Sequence, residues 1–313
     1  MNDIQRITFS QLQLFGLYND VANIIYQYCA FAGSLREQIE GTGDFISCIA
    51  VFPNGDLCRT FRGNMIQIWR DGICKKTLVC NDSFINSLAI GNDGILYTGS
   101  PRDGKINLWK DGTCIRTLRG YSGARDCLVI LPNGDVCSGS ADGTIKTWKF
   151  VGNDGGRISS LKCHLTTITR LVLLPNGDLC SGSSSRAIKI WRNNVRIQTL
   201  SAGNFGVSAL VVLPNGNLCS GSYDGKIKIW KDGKCILNIE NSAAINTFVV
   251  MPNGDLCSGD SHGEVKVFRI DNTSIKCILT LEERIGFNPS LLILKDGSLC
   301  GGSCSGTTIK IWE

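Results

Sequence analysis

Residues 213–230, LPNGNLCSGSYDGKIKIW, decide the fold, because close copies of this stretch recur along the chain. LPNGDVCSGSADGTIKTW occupies 131–148, LPNGDLCSGSSSRAIKIW occupies 174–191, and MPNGDLCSGDSHGEVKVF occupies 251–268. The aromatic that ends each phrase marks the period: Trp69, Trp109, Trp148, Trp191, Trp230, Phe268 and Trp312. Their spacings are 40, 39, 43, 39, 38 and 44 residues. A catalytic motif normally occurs once, whereas a phrase copied at a fixed period is architectural. A period near ~40 is the range of four-stranded propeller blades, shared with some helical arrays.

The local pattern selects strands. Short β-rich runs such as SALVVL (208–213), LCSG (218–221) and KIKIW (226–230) are cut by turn residues. Pro-Asn-Gly begins at Pro53, Pro132, Pro175, Pro214 and Pro252, and Asn92-Asp93-Gly94 and Lys295-Asp296-Gly297 fill the same place in the other two repeats. Glycine there accepts a positive φ without steric cost, which suits a hairpin. A second turn is Asp103-Gly104, Asp142-Gly143 or Asp224-Gly225; a third, after the tryptophan, is Asp71-Gly72, Asp111-Gly112 or Asp232-Gly233. Three turns per period divide each unit into four strands.

Period, SGS-x-DG turn and IKIW strand together resemble the WD40 repeat family, over residues 35–313, about nine-tenths of the chain. The resemblance implies an all-β fold: a seven-bladed WD40 β-propeller. Two departures stand out. Trp-Lys or Trp-Arg replaces the family's Trp-Asp, and its Gly-His is missing apart from a relic at His164. The family's His/Asp/Ser/Trp hydrogen-bond chain is therefore expected to be incomplete, with stability resting on the seven aromatics. Each of these buries ~150–250 Å², roughly 4–6 kcal/mol of gross transfer energy. Only Glu313 follows Trp312, so the last blade lacks a strand, and the segment 34–40 is left over at the other end. The expected organisation is a propeller over 34–313 closed by strand 34–40, preceded by a short helical extension over 1–33.

Within the extension, LYNDVANIIYQYC (17–29) spaces Val21, Ile24, Ile25, Tyr28 and Cys29 along one helical face, with Asn19 or Asp20 as N-cap. Leu17, Val21, Ile24, Ile25 and Tyr28 look like the opening of an F-box, with Tyr18 where that family has proline. Only about 15 residues separate Tyr18 from the closing strand, about a third of the length of a complete F-box, so the element is incomplete. It reads as a cap on the propeller, a docking helix, or an adaptor-docking helix of a ubiquitin-ligase receptor.

Composition narrows the function classes. Hydrophobic content of 43% with 19% charge belongs to a globular chain. Net charge +5 and pI 8.4 fall short of the pI above ~9 of dedicated nucleic-acid domains. No apolar run approaches the ~18 residues of a membrane span, and no secretory signal is expected from MNDIQRITFSQLQLF. Six of the 16 cysteines (Cys58, Cys137, Cys180, Cys219, Cys257, Cys300) occupy one repeated position. They read as small buried hydrophobes rather than disulfides or zinc ligands. So many free thiols suit a reducing, intracellular location, cytoplasmic or nuclear.

No catalytic, metal or cofactor site is expected. His164 and His262 are the only histidines, and neither is expected to form a Ser/His/Asp arrangement. The run 152–156, GNDGG, lacks the Lys-Ser/Thr of a P-loop. Lys146, Lys189, Lys228, Lys266 and Lys310 recur two residues before the blade aromatic, and are expected to lay their stems on apolar surface and leave their charge in water. A polyanion reading of these lysines stands second, without the interleaved aromatics of a single-strand binder.

Binding then falls to the loops. By the resemblance, the loops joining strands four-to-one and two-to-three form one rim, and they vary most between repeats. This rim carries Arg62, Phe84, Arg102, Tyr121, Arg125, Arg186, Phe205, Tyr223, His262 and Phe287. Arg and Tyr are favoured interface anchors, so a protein or peptide partner is expected there. Arg186 replaces a turn glycine, which predicts backbone strain.

Overall fold

The computed structural model describes residues 35–39, 46–61, 63–81, 84–120, 123–149, 157–271, 273–281, 284–286, 289–303 and 308–313. The side chains of 35, 37, 39, 123–126, 157 and 303 lie outside that description. So does the expected helical extension over 1–33, with Leu17, Val21, Ile24, Ile25 and Tyr28.

All regular elements among the described residues are strands, arranged in seven four-stranded antiparallel sheets. Blade 1 contains β2 (Ile46–Val51), β3 (Leu57–Phe61), β4 (Met65–Arg70) and β5 (Ile73–Val79). Blade 2 contains β6 (Ser87–Ile90), β7 (Leu96–Ser100), β8 (Lys105–Lys110) and β9 (Thr113–Arg119). Blade 3 contains β10 (Gly123–Ile130), β11 (Val136–Ser140), β12 (Thr144–Lys149) and β13 (Arg157–Lys162). Blade 4 contains β14 (Ile168–Leu173), β15 (Leu179–Ser183), β16 (Ala187–Arg192) and β17 (Val195–Ser201). Blade 5 contains β18 (Val207–Val212), β19 (Leu218–Ser222), β20 (Lys226–Lys231) and β21 (Lys234–Glu240). Blade 6 contains β22 (Ile245–Val250), β23 (Leu256–Asp260), β24 (Val265–Ile270) and β25 (Ile275–Thr280). Blade 7 contains β26 (Pro289–Ile293), β27 (Leu299–Ser303), β28 (Ile309–Trp312) and, from the start of the chain, β1 (Leu35–Ile39). β1 runs antiparallel to β28, pairing Gln38 with Lys310 and Ile39 with Ile309. The first strands of successive blades adjoin one another around the ring, β26 returning to β2.

The turns form where the glycines permit. Gly55, Gly134, Gly177, Gly216 and Gly254 of the Pro-Asn-Gly turns have φ between 81° and 95°. After the tryptophans, Asp71-Gly72, Asp111-Gly112 and Asp232-Gly233 have positive φ at both positions, the type I′ geometry that matches strand twist.

The core lies between blades rather than within them. Each of seven apolar clusters joins the middle strands of one sheet to the first strands and aromatic of the next. Cys58, Ile66 and Leu78 of blade 1, for example, meet Leu96 and Trp109 of blade 2. The second strands are consequently buried almost throughout, whereas the outer strands alternate with solvent. Fourteen cysteines fall among the described residues, and the six at the repeated position are buried.

Candidate functional site

Two rims result from the strand order, and their hydrogen bonds separate them. On one rim, the loops entering blades 4, 5 and 6 bond the turn between the second and third strands of those blades. Ser184 N donates to Thr167 O (3.0 Å), Tyr223 N to Gly206 O (3.2 Å) and Ser261 N to Ala244 O (2.8 Å). The other rim carries the Pro-Asn-Gly turns and the turns after the aromatics.

The first rim holds the described members of the predicted partner-binding set. Phe84 lies in the loop entering blade 2, and the Arg102 guanidinium stands 5.4 Å from its ring centroid. Phe205 (54% exposed) and Tyr223 (50%) flank the top of blade 5. Arg186 is exposed in the blade 4 turn with φ at +71°, the strained left-handed conformation its glycine-replacing position predicts. His262 is exposed on blade 6. Arg62, Tyr121 and Phe287, and the Arg125 side chain, lie outside the described residues.

The structure joins three of these with a residue that the sequence reading missed. Leu165 is 93% exposed in the loop entering blade 4. That loop bonds the blade 4 turn through Ser184, Ser184 abuts Gly206, and Gly206 bonds Tyr223. Leu165, Arg186, Phe205 and Tyr223 therefore follow one another over blades 4 and 5. The other exposed large apolar side chains among the described residues lie on outer strands. A lone leucine among polar loop residues, HLTT at 164–167, was the available signal.

Beneath this patch His164 Nε2 lies 2.8 Å from Ser181 Oγ, which also accepts from Trp191 Nε1 at 2.8 Å. The chain stops there: His164 Nδ1 is buried without a partner, since Ser184-Ser185 stands where an Asp-bearing turn would supply the carboxylate. Burial, aided by the Lys189 charge, pushes the His164 pKa down to about 4. Trp230 bonds Ser220 (2.8 Å) and Trp109 bonds Thr98 (3.1 Å), so the aromatic half of the network persists without histidine.

The repeated lysines require a correction. Their ammonium groups are not simply left in water. Lys146 Nζ donates to Gly120 O (2.6 Å), Lys189 Nζ to Cys163 O (2.7 Å), Lys310 Nζ to Arg284 O (3.2 Å) and Lys266 Nζ to Asn241 Oδ1 (2.6 Å). Each acceptor belongs to the connection from the preceding blade. These lysines pin inter-blade loops, with the acceptor 25 or 26 residues upstream, outside the strand that carries the lysine. Lys228 differs, with its ammonium 5.7 Å from the Trp230 ring centroid. Among the described residues, no three His, Cys, Asp or Glu side chains gather as a metal set, and no helix is long and apolar enough to cross a membrane.

Four segments, 72–110, 112–149, 155–192 and 194–231, match the family model of the WD40 repeat (WD domain, G-beta repeat). Each begins near the outer strand of one sheet and ends after the third strand of the next, so every matched repeat straddles two blades. No curated protein matches the chain in sequence. Among solved structures, a chain of the mitotic checkpoint complex superposes with TM-score 0.80 at 18% identity, covering 91% of this chain and 93% of that one. The WD40 β-propeller domain of Doa1 superposes with TM-score 0.75 at 23% identity, covering 89% and 96%. At these identities the likeness concerns the fold.

Proposed function

From a seven-bladed propeller that carries WD40 repeats, we propose a non-catalytic scaffold that binds protein or peptide partners on its loop rim. The observation that carries this reading is the row Leu165, Arg186, Phe205 and Tyr223. Exposed apolar side chains of this size on linked loops, with an arginine among them, suit the role of anchors in a protein interface. WD40 propellers generally serve as interaction scaffolds, and one structural relative belongs to a multi-protein complex. A finer reading makes the protein a substrate receptor of a ubiquitin ligase, with the 17–29 segment docking the adaptor and the rim holding the substrate. Its support is the apolar stripe Leu17, Val21, Ile24, Ile25 and Tyr28. The abundance of free thiols supports an intracellular setting for either reading.

One experiment tests both. Partners captured from cell extract are compared for the full chain, a Phe205→Ser/Tyr223→Ser double variant, and a chain lacking residues 1–32. The rim variant is expected to lose its main partners with unchanged melting. Retention of every partner by that variant overturns the rim reading. Loss of a ubiquitin-ligase adaptor on truncation alone supports the receptor reading, and its absence from the full-chain capture removes it.

A further inference from the structure

The opposite rim carries a cleft of about 570 Å³ between blades 1 and 2. Its floor includes Trp109, Leu78 and Leu96, and its lip includes Lys75, Lys76 and Lys110. The sevenfold repeat supplies an internal reference. The matching cleft between blades 4 and 5 measures about 380 Å³, with Trp230, Leu200 and Leu218 as floor but Ile197 and Gln198 at the lip. The architecture is shared; the second cleft's lining has one cation, Arg192, held by Asp178, where the first has three lysines.

Two local replacements create that lip. Between β4 and β5, Ile68 pairs with Lys76 and Trp69 with Cys74, which leaves Lys75 as the extra residue of a β-bulge. The same bulge in blades 2, 4, 5 and 6 carries Ile115, Ile197, Ile236 and Ile278. Blade 1 alone among these five presents a cation there. The second replacement is Ile95. In blades 1, 4 and 6 the residue ahead of the second strand is Asp56, Asp178 or Asp255, and each takes two hydrogen bonds from the arginine after the aromatic: Arg70, Arg192 or Arg269. Blade 2 has Ile95 in that place, so Lys110, which follows Trp109, meets no carboxylate there.

Lys76 leans across the cleft, its Nζ donating to Asp111 O at 2.6 Å, which leaves the positive charge uncompensated by that neutral acceptor. Of the carboxylates at the lip, Asp56 is engaged by Arg70, and Asp93 accepts the Ile95 amide through Oδ1 at 3.1 Å. Asp111 is exposed at the turn. Three ammonium groups and the carboxylates of Asp56, Asp93 and Asp111 thus rim an apolar floor of a size that takes a few side chains.

We propose that this cleft is a second binding site, for a peptide segment in which one large apolar residue is flanked by Asp or Glu. The apolar side chain fills the floor against Trp109, and the flanking carboxylates meet Lys75 and Lys110. The lining holds two aromatics, Trp109 and Phe52, which with Leu78 and Leu96 give an apolar surface for one large side chain. The site lies on the rim opposite Leu165, Phe205 and Tyr223, so it stands independently of the rim reading.

The test is selection of random linear peptides displayed on phage against the immobilised full chain, followed by fluorescence anisotropy of the enriched peptides. Enriched sequences are expected to carry an aromatic or leucine between acidic residues. Their affinity should fall about tenfold in a Lys75→Ile/Lys110→Ser variant, fall with added salt, and persist in Phe205→Ser/Tyr223→Ser. Lys75→Ile installs what four other blades carry, so the variant is expected to fold, and its melting curve checks this. No enrichment, enrichment of neutral or basic peptides, or indifference to the lysine variant overturns the proposal. Displacement of the selected peptides by an equimolar single-stranded oligonucleotide would also overturn it, in favour of polyanion capture.

Discussion

His164 is 2% exposed and holds a pKa near 4 because burial disfavours its charged form and Lys189 stands close. An unfolded histidine titrates near ~6.5. Between those values the unfolded chain takes up a proton that the folded chain refuses. Stability contributed by the neutral imidazole is therefore complete above ~6.5 and is lost as pH falls toward 4. The expected loss between pH 7 and pH 5 is about 2 kcal/mol at ~1.36 kcal/mol per pKa unit. Urea unfolding midpoints at the two pH values measure it, and His164→Gln should remove most of the difference. Cysteines obey the same physics with the opposite sign. Burial pushes the Cys163 thiol up to about 11 and Cys257 up to about 12, so these side chains behave as small hydrophobes. The residue type and repeated position made that role legible. The environment of His164 was legible only in part: its loop and family role could be read, but its missing carboxylate depends on a turn some 20 residues away.

At the scale of the element, glycines in one repeat answer to different demands. Gly216 has φ at +81° with only Pro175 Cγ nearby, at 4.0 Å, so it serves the turn. Gly221, in β19, has no such backbone need. A Cβ there would lie 2.6 Å from Ile245 Cγ2 and 2.9 Å from Phe248 Cε2, both on the first strand of the next blade. The SGS glycine is therefore the place where one sheet lets its neighbour approach. Gly221→Ala is expected to destabilise by about 1–3 kcal/mol through overpacking, read as a lowered denaturant midpoint at unchanged slope. An unaltered midpoint would show that blade 6 can yield at Ile245. Repetition of SGS showed that the glycine is architectural, but its neighbour lies in the following repeat and could not be read locally. The lysine ties have the same cause.

At the scale of the whole molecule, β1 gives blade 7 its fourth strand. Without it, β28 would present an open edge, and open edges recruit other chains. A chain lacking residues 34–40 is expected to aggregate, seen as early elution in size-exclusion chromatography with light scattering. A monodisperse monomer of normal melting temperature would show that the blade-to-blade clusters hold the ring without this strand. Arg36 adds a tie at the seam, pairing Asp296 at 2.5 Å and bonding Ser298 Oγ at 3.0 Å.

The sequence by itself determined the all-β class, the number of blades and the position of their turns. These follow from a period of about 40 residues, from glycines that accept positive φ, and from aromatics placed once per period. Such signals are local, so each copy states them again. Tertiary structure decided which copies differ usefully. It linked the loops that carry Leu165, Phe205 and Tyr223, carried lysine ammonium groups to the connection from the preceding blade, and set Lys75 and Lys110 along one cleft. The core of this molecule lies between sheets, so each repeat's surroundings are supplied by its neighbour. Only the closed ring brings those neighbours together.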